Sequence, residues 1–170
     1  MFITSPDKTF DNDMLNIFLA GSIENGAAVS WHKDFHDKVL SRLAKKWNIP
    51  DNGICFFNPR RLEWNQSTSE EELKIQIEWE LTRIKQSQIV FFYFAKGTIS
   101  PISLLELGLV LGSKPSNVVV VCDNEYFRIT NVKETLNFTN VINCYEDMED
   151  GALALADKIA NHYKYGMKKS

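Results

Sequence analysis

A doubly wound α/β fold, with a mostly parallel five-stranded sheet and helices on both faces, is predicted by three observations. The strand candidates are short continuous apolar runs, not clean alternations, as expected of strands covered on both sides. Segments of helical period lie between them. Their succession, β-α-β-α-β-α-β-(loop)-β-α, is that of a flavodoxin-like or Rossmann-like sheet built from crossover units.

The strand candidates are NIFLA (16–20), ICFF (54–57), QIVFFYF (88–94), NVVVVC (117–122) and, more weakly, TNVINCY (139–145). Trp31, Phe35, Val39, Leu43 and Trp47 recur every four residues and predict one buried helical stripe. Leu73, Ile77, Leu81 and Ile84 predict a second, in a helix from about Glu70 to Lys85 whose acidic start suits the helix dipole. Ala152, Leu155, Ala156, Ile159 and Tyr163 predict a third. GSKPSN (112–117) lacks the glycine spacing of a phosphate loop and reads as a helix-to-strand turn; YEDMED (145–150) reads as an acidic helix start. With no repeat or linker, residues 1–170 are expected to form a single domain.

The bulk numbers bound the function. At 170 residues, 44% hydrophobic and 24% charged, the composition is that of an ordinary globular domain. A net charge of −3 provides no basic footprint for a nucleic-acid polymer. The longest apolar run, 89–95, is too short for a bilayer, and the amino end has no secretory pattern. Cys55, Cys122 and Cys144 have no metal-like spacing and read as reduced structural thiols, which points to the cytoplasm and to no membrane partner. His32 and His36 have i, i+4 spacing, but the Trp31–Phe35 stripe uses another face, so both are expected in water and not on a metal.

In such sheets ligands bind beyond the carboxyl ends of the strands, where the strand order reverses. The loops there are GSIENG (21–26), NPRRLEWNQ (58–66), AKGTISP (95–101) and DNEYFRITN (123–131). Two acids lie on apolar backgrounds. Glu106 sits among leucines in SPISLLELGLVLGS (100–113), where Ser100 as N-cap and Pro101 at the first helical position place it in the second turn, near the positive helix end that favours its ionised form. Ser103 to Glu106 also fits a capping box, which would fold the glutamate back on its own helix. Glu80 falls on the Ile77–Ile84 stripe; its alternatives are solvent or Arg83. A carboxylate in apolar surroundings is costly unless paired or used. Two carboxyls, one ionised and one protonated, are the equipment for cleaving a glycosidic bond.

Five segments, IFLAGSI (17–23), FNPRR (57–61), QIEWEL (76–81), SPISLLELG (100–108) and RITNV (128–132), resemble the nucleoside 2-deoxyribosyltransferase-like family in order and separation. The resemblance implies the same fold and a cofactor-free enzyme that exchanges bases on 2′-deoxynucleosides. It implies Glu106 as nucleophile and Glu80 as the proton donor and acceptor to the base. Gly21, Ser22 and Ile23 would form a pocket wall, and Asn58, Arg60 and Trp64 a loop over the base. Asn131 would be donated by a neighbouring subunit, making a homo-oligomer. The chain departs from the family at Ser100, where well-studied members have an aspartate that reads the base, and at Ile17, where they have a tyrosine. A serine near the first position is similar to the related deoxynucleoside 5′-monophosphate N-glycosidases. Hydrolysis, with Ser22, Ser100 or Arg60 holding a phosphate, is therefore the alternative reading, and a non-catalytic nucleotide-binding module is another.

Overall fold

The computed structural model describes residues 1–23, 28–61, 69–141 and 143–166. Its strands are β1 (Phe2–Thr4), β2 (Leu15–Gly21), β3 (Ile54–Asn58), β4 (Ile89–Phe94), β5 (Val118–Cys122) and β6 (Cys144–Tyr145). Its α-helices are α1 (His32–Arg42), continued by a wider turn to Trp47, α2 (Glu70–Gln86), α3 (Pro101–Ser113), α4 (Ile129–Phe138) and α5 (Met148–Gly166). All strand pairs are parallel, in the order β1-β3-β2-β4-β5-β6. The chain lays down the edge strand β1, enters the centre at β2, moves one way to β3 between them, then crosses to β4 and onward. That reversal beside β2 is the flavodoxin-like switch point. Among the described residues, no helix is long and apolar enough to cross a membrane.

The central strands are almost wholly apolar because both faces are covered. Phe18, Ala20, Phe92 and Val120 point to the side carrying α2, α3 and α4. Ile17, Leu19, Phe91 and Val119 point to the side carrying α1 and α5. There the predicted stripes hold: Trp31, Phe35, Val39 and Leu43 are buried, as are Ala152, Leu155, Ala156 and Ile159, with Trp47 and Tyr163 at the margin. The Phe35 ring stacks on Phe91 with centroids 4.1 Å apart.

Three expectations are corrected. The sheet has six strands, not five: Phe2–Thr4 adds an edge strand on β3, too short to register as an apolar run. That strand also explains the second correction. His36 is buried, wedged edge-on between the rings of Phe2 and Phe56, and His32 is buried, stacked on Trp31 at 3.8 Å. Neither faces water. Burial, aided by nearby Arg60, pushes the His32 pKa down to about 3, so it is a neutral core ring.

The third concerns α2. Of its predicted stripe only Ile84 is buried; Leu73, Ile77 and Leu81 are 50%, 44% and 46% exposed. The buried positions are Gln76, Trp79, Arg83 and Ile84. Arg83 spreads its guanidinium over the rings of Phe10, Phe57 and Trp79 and donates to the Asp7 carbonyl and Gln86. Trp79 Nε1 donates to the same Asp7 carbonyl at 2.7 Å. Long side chains with apolar stems and anchored polar tips have displaced the aliphatic ones. Ser69 starts the helix with a full capping box to Glu72.

Candidate active site

The crevice at the switch point opens between the carboxyl ends of β2 and β4. Gly21 closes β2 at φ +147°, and a Cβ there would run into the main-chain oxygen of Tyr93 on β4. Only glycine permits that approach. Ser22 follows, fully buried, its N–H donating to the Tyr93 carbonyl at 3.0 Å. Its hydroxyl accepts from Ala95 N at 3.1 Å and lies 2.7 Å from both Thr98 Oγ1 and Ser100 Oγ. The two loops are thereby laced together by three hydroxyls.

Ser100 is the N-cap residue and Pro101 the first helical one, as predicted, but Ser100 does not cap with its side chain. It sits in the left-handed region at φ 46°, ψ 48°, where the proline after it disfavours the right-handed region, and its hydroxyl turns to Ser22. Ser103 is likewise diverted: its hydroxyl donates to the Gly21 carbonyl at 2.9 Å. With Ser103 so engaged, the capping-box alternative for Glu106 falls away.

A cavity of about 330 Å³ lies between these strand ends, α2 and α3. Glu80 and Glu106 reach it from opposite helices, with Gln76, Ser100 and Ser103 beside them and Leu73, Ile77 and Ile102 as apolar walls. Glu106 is only 6% exposed and, among the described residues, has no hydrogen-bond partner. Burial first, then the neighbouring Glu80 charge, hold its carboxyl well above the usual range. Both effects oppose the ionised form that the nearby α3 N-terminus is expected to favour. Burial also raises Glu80, opposed by the Gln76 amide and the Arg61 charge. Glu80 accepts from Gln76 Nε2 at 2.7 Å and does not reach for Arg83.

The cavity gathers Gly21, Ile23, Glu80, Ser100 and Glu106, with Ser22 just behind. Asn58 is not in its lining: its side chain bonds Arg60 N and O and Thr4, shaping the turn after β3. Arg60 donates to the Ala28 carbonyl at 2.7 Å and is not among the described lining residues. Asn131 is exposed on α4, beside Arg128 and Thr135, outside this cavity. Trp64 lies outside the described residues. Sequence reasoning missed Gln76 and Ser103; the one available signal was that Gln76 precedes Glu80 by one helical turn.

Among the described residues no three His, Cys, Asp or Glu side chains gather as metal ligands. A larger cleft, about 600 Å³, opens at the other end of the sheet, by the starts of β5 and β6. Its charged groups are already engaged, Asp157 with Lys46 and Lys158 with the Ser116 carbonyl.

Residues 14–126 match the family described as nucleoside 2-deoxyribosyltransferase like, about two thirds of the chain. The chain belongs to this family. The matched span runs from the start of β2 to the loop after β5 and so contains the switch point, both carboxyls and the hydroxyl cluster. Among curated proteins the chain finds no match. For this nucleoside 2-deoxyribosyltransferase-like protein, membership assigns small nucleoside-type substrates to the class. The cavity holding two acids between apolar walls is lined, among the described residues, wholly from within the matched span.

Proposed function

We propose that the protein cleaves the N-glycosidic bond of 2′-deoxynucleosides and passes the sugar to a second nucleobase. The observation that carries this reading is Glu106: buried, unbonded, and electrostatically coupled to a second carboxyl in one cavity. A Glu106 oxygen attacks C1′ as the C1′–N bond breaks, and the bond's electron pair goes to the base nitrogen. That nitrogen takes the proton held by Glu80, leaving a deoxyribosyl ester on Glu106. Attack on C1′ by a nitrogen of the incoming base expels Glu106, and the proton returns to Glu80. A substrate positive at C1′ draws negative charge to Glu106 and leaves the proton on Glu80, the distribution the reaction needs. A missing 2′-hydroxyl eases that positive character.

Six exposed apolar side chains support a homo-oligomer: Leu73, Ile77 and Leu81 on α2, and Ile102, Leu105 and Leu109 on α3, 44–71% exposed. Three of them form the cavity wall, so a second copy seated there would complete its apolar enclosure. Reduced thiols at all three cysteines suit a cytoplasmic setting.

A second reading, hydrolysis of a deoxynucleoside 5′-monophosphate, is favoured by the hydroxyls of Ser22, Thr98 and Ser100 at the head of α3, where a phosphate would meet the positive helix end. One experiment addresses both. Deoxynucleosides and their monophosphates are incubated with and without an acceptor base, using wild type and Glu106→Ala. Transfer predicts a new nucleoside only when acceptor is present, a sugar adduct on Glu106 by mass spectrometry, and a loss of about a thousandfold or more in the variant. Near-wild-type turnover by Glu106→Ala removes the mechanism.

A further inference from the structure

Gln76 has a polar side chain, is 5% exposed, and has no place in the chemistry above. Its carboxamide has two acceptor and two donor positions, and all four are filled. Oε1 accepts from Ser5 Oγ at 2.5 Å and from Arg61 Nε at 2.6 Å. Nε2 donates to the Pro59 carbonyl at 2.9 Å and to Glu80 Oε1 at 2.7 Å. Turning the amide over would set oxygen against the Pro59 and Glu80 oxygens and nitrogen against a guanidinium. One orientation alone satisfies every partner.

We propose that Gln76 is the positioning residue of the cavity: its locked amide holds the Glu80 carboxyl at the pocket and ties it to the turn after β3. The inference rests on the reading of Glu80 as the group that handles the proton. The carbonyl oxygen of a protonated carboxyl is its better acceptor, so the N–H donor at Oε1 favours placing the hydrogen of a protonated Glu80 on Oε2. Gln76 thus selects which oxygen delivers the proton. The turn contributes through Arg61, which is held on Gln76 and also donates to the Glu72 carbonyl at 3.1 Å. The charged groups facing Glu80 are Arg61 from this turn and Glu106 from α3; Glu80's own helix supplies the neutral Gln76. Burial favours the acid, whereas the amide and Arg61 favour the ionised carboxylate. Loss of Gln76 removes the amide donor and frees Arg61, so Glu80 then holds its proton to higher pH.

The test is a proton titration followed by NMR on protein labelled in the Glu and Gln side chains. In wild type, the Gln76 Nε2–H resonances are expected to move with the same midpoint as the Glu80 carboxyl carbon. In Gln76→Met that midpoint is expected to rise by about one pH unit, the effect of losing one hydrogen bond to a charged group. The alkaline limb of base release should rise with it, while a purely structural role would lower the rate equally at every pH. Gln76 resonances that stay flat through the Glu80 titration, or a Met variant that titrates as wild type, overturn the proposal. If Gln76→Met does not fold, the wild-type titration decides alone. If Glu80→Gln releases base as fast as wild type, the catalytic reading falls, and the titration still reports on the Gln76 contact.

Discussion

On one face of the sheet, α1 and α5 bury Phe35, Val39, Leu155 and Ile159, while on the other α2 and α3 bury Gln76, Arg83, Ser103 and Glu106 and leave Leu73, Ile77, Leu81 and Leu105 exposed. The first face behaves as a core, where burial of apolar area supplies stability and periodicity announces it. The second gives inward positions to groups that are expensive to bury and satisfies them one by one: Gln76 through four hydrogen bonds, Arg83 over three rings. Of these groups, Arg83 Nε and the Glu106 carboxyl are left without a hydrogen bond among the described residues. Such local expense is tolerated where the group has work to do.

The contrast is broken most forcefully on the first face. Phe35→Ala removes a ring that is 2% exposed and stacked on Phe91, and should lower stability by about 3–5 kcal/mol in urea unfolding. A loss near zero would mean that this face is not the core.

A smaller effect of opposite sign is expected at Glu106. Its carboxyl is held above the ordinary value of 4.5 in the folded chain. Between 4.5 and that raised value the folded state binds more protons than the unfolded one, so stability is full below the window and falls as pH rises through it. Glu106→Gln should therefore match wild type near pH 4 and exceed it by roughly 1–2 kcal/mol at pH 8, an estimate for relieving one buried, unpaired charge. Equal stability of the two at pH 8 would show that the carboxylate is well solvated.

The smallest change in monomer stability is expected on the exposed apolar face. Leu105, 71% exposed, should tolerate Leu105→Ser within about 0.5 kcal/mol. If a second copy seats there, the same substitution lowers the sedimentation coefficient toward that of a monomer. A loss of several kcal/mol with no change in mass would instead place Leu105 in the monomer's own packing.

The same contrast explains what was legible. The central strands announced themselves because both faces are covered, and α1 and α5 because their partners are aliphatic or aromatic. The rotation of α2 was hidden: hydropathy ranks leucine above arginine, and nothing local to Arg83 shows the three rings that receive it. Gln76 was hidden for a related reason, since one of its partners, Ser5, lies 71 residues away in sequence. His36 was misplaced along with the unseen edge strand that covers it. Glu80 and Glu106 could be singled out because a charge in an apolar run stands out whatever its partners turn out to be.

The triangle of Ser22, Thr98 and Ser100 has a consequence in the direction of its hydrogens. Thr98 sends its single hydrogen to the Ala95 carbonyl at 2.7 Å, so it can only accept from Ser22 and Ser100, and Ser22 also has the Tyr93 carbonyl within 3.4 Å as an acceptor. At rest this corner turns oxygen lone pairs toward a visitor and welcomes a donor, such as an alcohol on a sugar. A phosphate, which only accepts, needs a hydroxyl hydrogen turned toward it and so draws one away from these contacts, whereas a sugar hydroxyl can donate to the oxygens as they stand.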